Sequence, residues 1–149
     1  MENKKIYLVV IIVIMAVALL GAVFVLVKNK KAFTPVSVVE DTADIQVFSP
    51  KENEAISSPL DITGVVRGNG WVGFEGQVGT VHVLDNNGKE LAATFLPATS
   101  EWTQLPVNFR ARVEFTAVAG TPGFLVFKNE NPSGDPKKEK TFVVAIKFK

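Results

Sequence analysis

Asn108-Phe109-Arg110-Ala111-Arg112-Val113-Glu114-Phe115 is the stretch on which the fold turns, because apolar side chains take every second position and polar or charged ones the positions between. Only an extended strand sends alternate side chains to opposite faces. The segment is therefore read as a strand with Phe109, Ala111, Val113 and Phe115 on a core and Asn108, Arg110, Arg112 and Glu114 in water. A one-residue slip in its pairing would bury two arginines, so the register is strongly specified.

The same period of two recurs on both sides. Upstream, Ile45 and Val47 alternate with polar residues and end at Ser49-Pro50, and Leu60, Ile62 and Gly64 follow Ser58-Pro59. Val81 and Val83 alternate with His82 and Leu84, apolar on both sides as a central strand would be. Asp85-Asn86-Asn87-Gly88 then supplies residues that tolerate positive φ, and Leu91, Ala93 and Phe95 lead the chain back as a hairpin. Downstream, Gly123 to Phe127 and Phe142 to Phe148 are two further apolar strands. About seven strands, turn signals every 8 to 12 residues and no amphipathic helical run predict an all-β fold, an immunoglobulin-like antiparallel β-sandwich over residues 44–149.

The first 43 residues read differently. Ile6 to Val27 contains 22 uncharged residues, 16 of them Ile, Leu, Val or Phe. As a helix it would be roughly 33 Å long against a hydrocarbon core of roughly 30 Å. Ala16-Val17-Ala18 has the form of a signal-peptidase site, but Leu19 to Val27 continues the apolar run without a break, which points to one uncleaved transmembrane helix. Residues 1–31 thus form a membrane anchor with basic flanks, partnered by the lipid bilayer through Ile6 to Val27, and residues 32–43 form a linker. The alternative for the linker is that Val36 to Val39 begins the first strand. Lys4 and Lys5 face Lys28, Lys30 and Lys31 across the membrane, so charge counting does not favour N-terminus in. The expected orientation, a single pass of the cytoplasmic membrane with the C-terminal domain on the extracytoplasmic side, rests on the domain type. Ala18 and Ala22 are spaced for helix pairing, although small residues at that spacing are ordinary.

Composition excludes several chemistries. Zero cysteines removes disulfides, thiolate metal sites and a Cys nucleophile. Residues 1–31 hold five Lys and one Glu, which leaves eleven Lys plus Arg against fourteen Asp plus Glu beyond, net −3, and no nucleic acid partner is indicated. His82 is the one histidine and lacks a fellow ligand for a metal. The Asp85 to Gly88 turn lacks the alternate spacing and distant Glu of a calcium loop. Glu52 with Glu54, Asp41 with Asp44 and Glu130 with Asp135 are carboxylates close in sequence, which does not make a catalytic pair across a cleft. No serine stands in a G-x-S-x-G elbow, and no glycine pattern matches a phosphate or dinucleotide loop, so neither an enzyme nor a small-molecule cofactor is expected. Asn131-Pro132-Ser133 is no glycosylation acceptor, and Lys137, Lys138 and Lys140, interrupted by Glu139, read as a solvated hairpin tip.

The candidate functional loop is Gly68 to Glu75. Its glycines permit unusual backbone conformations, and Trp71 and Phe74 with Asn69 and Glu75 could present a stacking face and hydrogen bonds to a sugar or peptide. The competing reading, favoured by how often Trp is buried, is that Trp71 and Phe74 plug one end of the sandwich, and Trp102 is expected in the core for the same reason.

The order of turn and strand residues resembles a bacterial immunoglobulin-like domain of spore-germination proteins, the second of the GerM-associated domains. The resemblance runs from Ile45 to Phe148 and rests on Ser49-Pro50 with Asn53, Ser58-Pro59 leading into Ile62-Thr63-Gly64, Phe74-Glu75, the Asp85 to Gly88 turn, Trp102-Thr103, the Phe109 strand and Asn131-Pro132-Ser133-Gly134. This chain departs from the family pattern in having Gly76-Gln77-Val78-Gly79 where an aromatic residue and a proline are usual, and Thr103 where Met is. The resemblance implies an extracytoplasmic immunoglobulin-like sandwich of the bacterial cell envelope, often attached to other envelope modules, with no catalytic residues to carry over. A binding or scaffold role toward an envelope protein is the expected function. Lectin-like binding of peptidoglycan or another glycan through the Trp71 loop is the alternative, so an envelope protein or a cell-wall polymer is the expected partner.

Overall fold

Val107–Val113 is a strand whose Val107, Phe109, Ala111 and Val113 are buried while Asn108, Arg110 and Arg112 are exposed, in a computed structural model that describes residues 44–149. Phe115 lies just beyond the strand, and its amide donates to Ser58 Oγ at 2.9 Å. In chain order the strands are β1 (Ile45–Ser49), β2 (Glu54–Ile56), β3 (Leu60–Val66), β4 (Gln77–Asp85), β5 (Glu90–Pro97), β6 (Val107–Val113), β7 (Pro122–Asn129) and β8 (Thr141–Phe148), with one 3-10 turn at Pro136–Lys138.

They form two sheets, β1-β3-β6 and β2-β8-β7-β4-β5. The all-β expectation holds, with β4 paired on both sides as its two apolar faces required. Two details differ from the sequence reading. There are eight strands among the described residues, and β2 pairs with β8 in parallel, so the sandwich is not wholly antiparallel. Glu54-Ala55-Ile56 is too short to show a period, and its carboxylate is occupied locally, accepting from the Lys51 amide at 2.7 Å. The second difference is at β4, which begins at Gln77 within a stretch that looked like loop. Gly79 makes this possible: at φ 146° its Cα sits so close to Lys128 O that a Cβ would lie 2.0 Å from it.

Between the sheets, Val81, Val83, Leu125 and Phe127 face Ile62, Val66, Val107 and Phe109 in one apolar cluster. The Phe109 and Phe127 rings are tilted at 51° with centroids 6.4 Å apart, a favourable aromatic geometry across the core. Outside, the two sheets differ. On the three-stranded sheet Asp61 pairs with Arg110 at 3.5 Å and Arg112 at 3.2 Å, exposed ion pairs that add little stability but keep that face hydrated. The five-stranded sheet turns Leu84, Phe124, Val126 and Ala145 outward at matching register positions, with Ala93 and Phe95 on β5. Among the described residues no helix is long and apolar enough to cross a membrane, and Ile6 to Val27 lies outside them.

Candidate functional site

Three connections meet at one end of the sandwich: residues 67–76 between β3 and β4, 98–106 between β5 and β6, and 130–140 between β7 and β8. The first contains two tight reversals. Gly68 and Trp71 exchange backbone hydrogen bonds of 3.1 and 2.9 Å around Asn69 and Gly70, whose φ values of 50° and 92° make a type I′ turn. Phe74 and Gln77 do the same around Glu75 and Gly76, at φ 49° and 84°. The glycine-rich composition is thus spent on two hairpin bends in ten residues, and not on a cradle for a ligand.

The side chains of this loop divide. Trp71 is 3% exposed and belongs to the core cluster, so it plugs the sandwich and offers no open face. Asn69 is exposed, but its Nδ2 donates to Asp44 Oδ1 at 2.6 Å, fastening the loop to the residue where the chain enters the domain. Phe74 and Glu75 are exposed. Of the four residues singled out from sequence, two are therefore engaged in holding the loop and two face solvent.

Trp102 is the reverse case. Expected in the core, it is 38% exposed. It stands in a bend five residues before β6, where no strand register directs its side chain inward, and its backbone abuts Gly73: a Cβ on that glycine would lie 2.3 Å from Trp102 O. Leu105 meets Gly68 through its side chain, its Cδ1 at 3.4 Å from where a Cβ on that glycine would lie. The two loops thus touch twice and carry Val72 (40% exposed), Phe74 (37%), Trp102 and Leu105 (48%) at one end of the domain.

Asn129, which nothing in the sequence marked, ties in the third loop. Its Nδ2 donates to Gly70 O at 2.7 Å and Lys138 O at 3.0 Å, and its Oδ1 accepts from the Lys140 amide at 2.8 Å. The aliphatic part of Lys140 lies over Gly70. Nearby, burial pushes the Glu130 carboxyl above the usual range, and repulsion from Glu75 adds to this. Glu101 goes the other way, held below the usual range by the hydrogen bond from the Thr103 hydroxyl at 2.8 Å.

The remaining candidates occupy ordinary structural positions. Asp85 Oδ1 accepts from the amides of Lys89 at 2.9 Å and Asn87 at 2.8 Å, which closes the β4–β5 hairpin and holds the carboxyl pKa below its ordinary value. Asp135 caps the 3-10 turn through the Lys137 amide at 3.0 Å. His82 bonds Glu90 at 2.6 Å and Thr80 at 3.2 Å across the outer face of the five-stranded sheet. Among the described residues no three His, Asp or Glu side chains converge as metal ligands would. At the opposite end an open depression of about 540 Å³ is lined by Ser58, Lys89, Glu90, Glu114 and Phe115, and Ser58 there is already bonded to the Phe115 amide.

No curated protein matches the chain. A family model does match the span from β1 through β7 and the start of the loop after it, while β8 lies wholly beyond that span. Residues 44–135 match the family model for the immunoglobulin-like domain of bacterial spore germination, and the chain belongs to that family.

Proposed function

We propose that the chain is a single-pass, membrane-anchored and non-catalytic binding or scaffold module on the extracytoplasmic face of the bacterial cytoplasmic membrane. Family membership supports a binding or scaffold role, and the apolar length of Ile6 to Val27 supports the anchor. The partner is an extended segment of another envelope protein, added as a strand at the β5 edge.

One observation carries the choice of edge: Phe95, at 59% exposure, stands on β5, which has a neighbour on one side only. Sheet edges usually carry a defence such as shortness, a bulge, a proline or a charge. β2 is three residues long, β1 is bulged and is followed directly by Pro50, and β6 carries Arg110 and Arg112. β5 is bulged at Leu91 and has Glu90 and Pro97 at its ends, but from Ala92 to Phe95 it pairs with β4 in unbroken register and has neither charge nor proline, and strand addition is an established mode of peptide capture. A photo-crosslinking residue at position 95 in living cells is expected to capture an envelope protein, whereas the same residue at position 110 is not. Absence of an adduct from position 95 would overturn the edge as the binding surface.

A second reading, glycan binding, is favoured by the exposed Trp102 beside Glu101 and Thr103, and not by Trp71. Retention of residues 44–149 on purified peptidoglycan, lost on Trp102→Ala, would support it.

A further inference from the structure

From the position of four exposed apolar side chains relative to the point where the chain enters the domain, we infer that the loop end bearing Val72, Phe74, Trp102 and Leu105 docks on the lipid–water interface of the bilayer that holds the anchor. The inference rests on the anchorage proposed above.

Asp44 is the first described residue, and it is fixed at this end, its carbonyl accepting from Arg67 N at 2.8 Å and its carboxylate from Asn69. The chain reaches Asp44 from Val27 through the 16 residues Lys28 to Ala43. Sixteen residues of random-coil chain would have a root-mean-square span of about 20 to 24 Å. The end with the apolar loops is therefore the end at which the chain from the anchor enters the domain, while the β4–β5 hairpin and the Ser58 depression lie at the other. Tethering at this distance gives an effective concentration in the millimolar range, so an interaction too weak to bind a free domain suffices to orient a tethered one.

The chemistry suits that surface. Tryptophan and phenylalanine favour the interfacial layer, where an apolar ring and water are both at hand, and the valine and leucine add apolar area on the touching loops. The charges on the three loops are of both signs: Glu75, Glu101, Glu130, Asp135 and Glu139 against Arg67, Lys137, Lys138 and Lys140. Attraction to anionic headgroups is thus not the basis of the contact, and a protein partner with a charged rim has no matching field to read. Docking would stand the sandwich on its loop end and leave the β5 edge facing outward along its side.

Tryptophan fluorescence of the full chain tests this cleanly, because its two tryptophans are Trp71 and Trp102 and the anchor segment Ile6 to Val27 has none. The chain is reconstituted in phosphatidylcholine vesicles, with or without bromine on the upper acyl carbons. Flotation with the vesicles establishes anchorage. Emission is then expected to be lower in brominated lipid, the loss persisting in high salt. The loss is expected to vanish in Trp102→Phe, which keeps the surface apolar but removes the reporter, and in the double variant Val72→Glu/Leu105→Glu, which keeps the reporter but removes the apolar contact. A chain that fails to float overturns the anchor and the docking together. A chain that floats with equal emission in both lipids, or whose quenching survives Trp102→Phe and so comes from Trp71, overturns the docking alone. Quenching abolished by salt would replace the apolar contact with an electrostatic one and overturn it as well.

Discussion

The loop of residues 67–76 and the loop of residues 98–106 lie against each other, each with one tryptophan, and they use it in opposite ways. In the first, two type I′-like reversals fix the backbone so closely that Trp71 is delivered into the core. In the second, a looser series of bends leaves Trp102 lying across Gly73 with more than a third of its surface in water. Residue type alone does not decide whether a tryptophan stabilises a domain or meets a partner. The backbone on either side of it does.

Substitutions at these positions should separate the two roles. Trp71→Ala is expected to cost about 3–5 kcal/mol, the range for removing a large aromatic side chain from a core. For a domain of about 100 residues this lowers Tm by roughly 12 °C or more, read by thermal unfolding of the purified chain. Survival of Trp71→Ala with Tm nearly unchanged would mean that Trp71 is no plug. Asn129→Ala leaves Gly70 O and Lys138 O without their side-chain donor and should cost about 1–3 kcal/mol, with faster amide exchange in the 68–71 turn than elsewhere. If exchange rises evenly across the domain, Asn129 is not what joins the loops.

Trp102→Ala should cost about 1 kcal/mol or less, since the ring is partly in solvent already, and a denaturation curve matching that of Trp71→Ala would erase the contrast between the loops. The smallest effect belongs to Glu130→Gln. A carboxyl whose folded pKa is raised destabilises the folded state once it is ionised, so the substitution should stabilise at neutral pH by about 0.5 kcal/mol or less. The difference should vanish as pH falls below the ordinary carboxylate range, where Glu130 is protonated in the folded and unfolded states alike. A gain that grows toward acid pH would reverse the assigned cause.

What could be read in advance follows the same division. The Phe109 strand, the central position of β4 and the Asp85 hairpin were legible because a period of two and a turn-forming quartet are local signals. β2 was not, because three residues carry no period and its parallel partner β8 lies about 90 positions away. Trp71 and Trp102 could not be told apart, since both follow turn-rich segments and differ only in a reversal geometry that depends on which residues take positive φ. Asn129 was hidden because its amide serves carbonyls 59 and 9 residues away, and such a clamp leaves no mark on neighbouring positions.

The place of β8 bears on how the domain is made. Thr141–Phe148 is an inner strand, flanked by β2 from the domain's beginning and β7 from near its end. A nascent polypeptide halted before residue 141 has β7 with a bare flank and β2 with nothing to join. Closure of the larger sheet must therefore wait until residue 148 has cleared the ribosome or the secretion channel. If this chain is exported as proposed, it passes through the pore as an open thread and acquires its shape only on the far side.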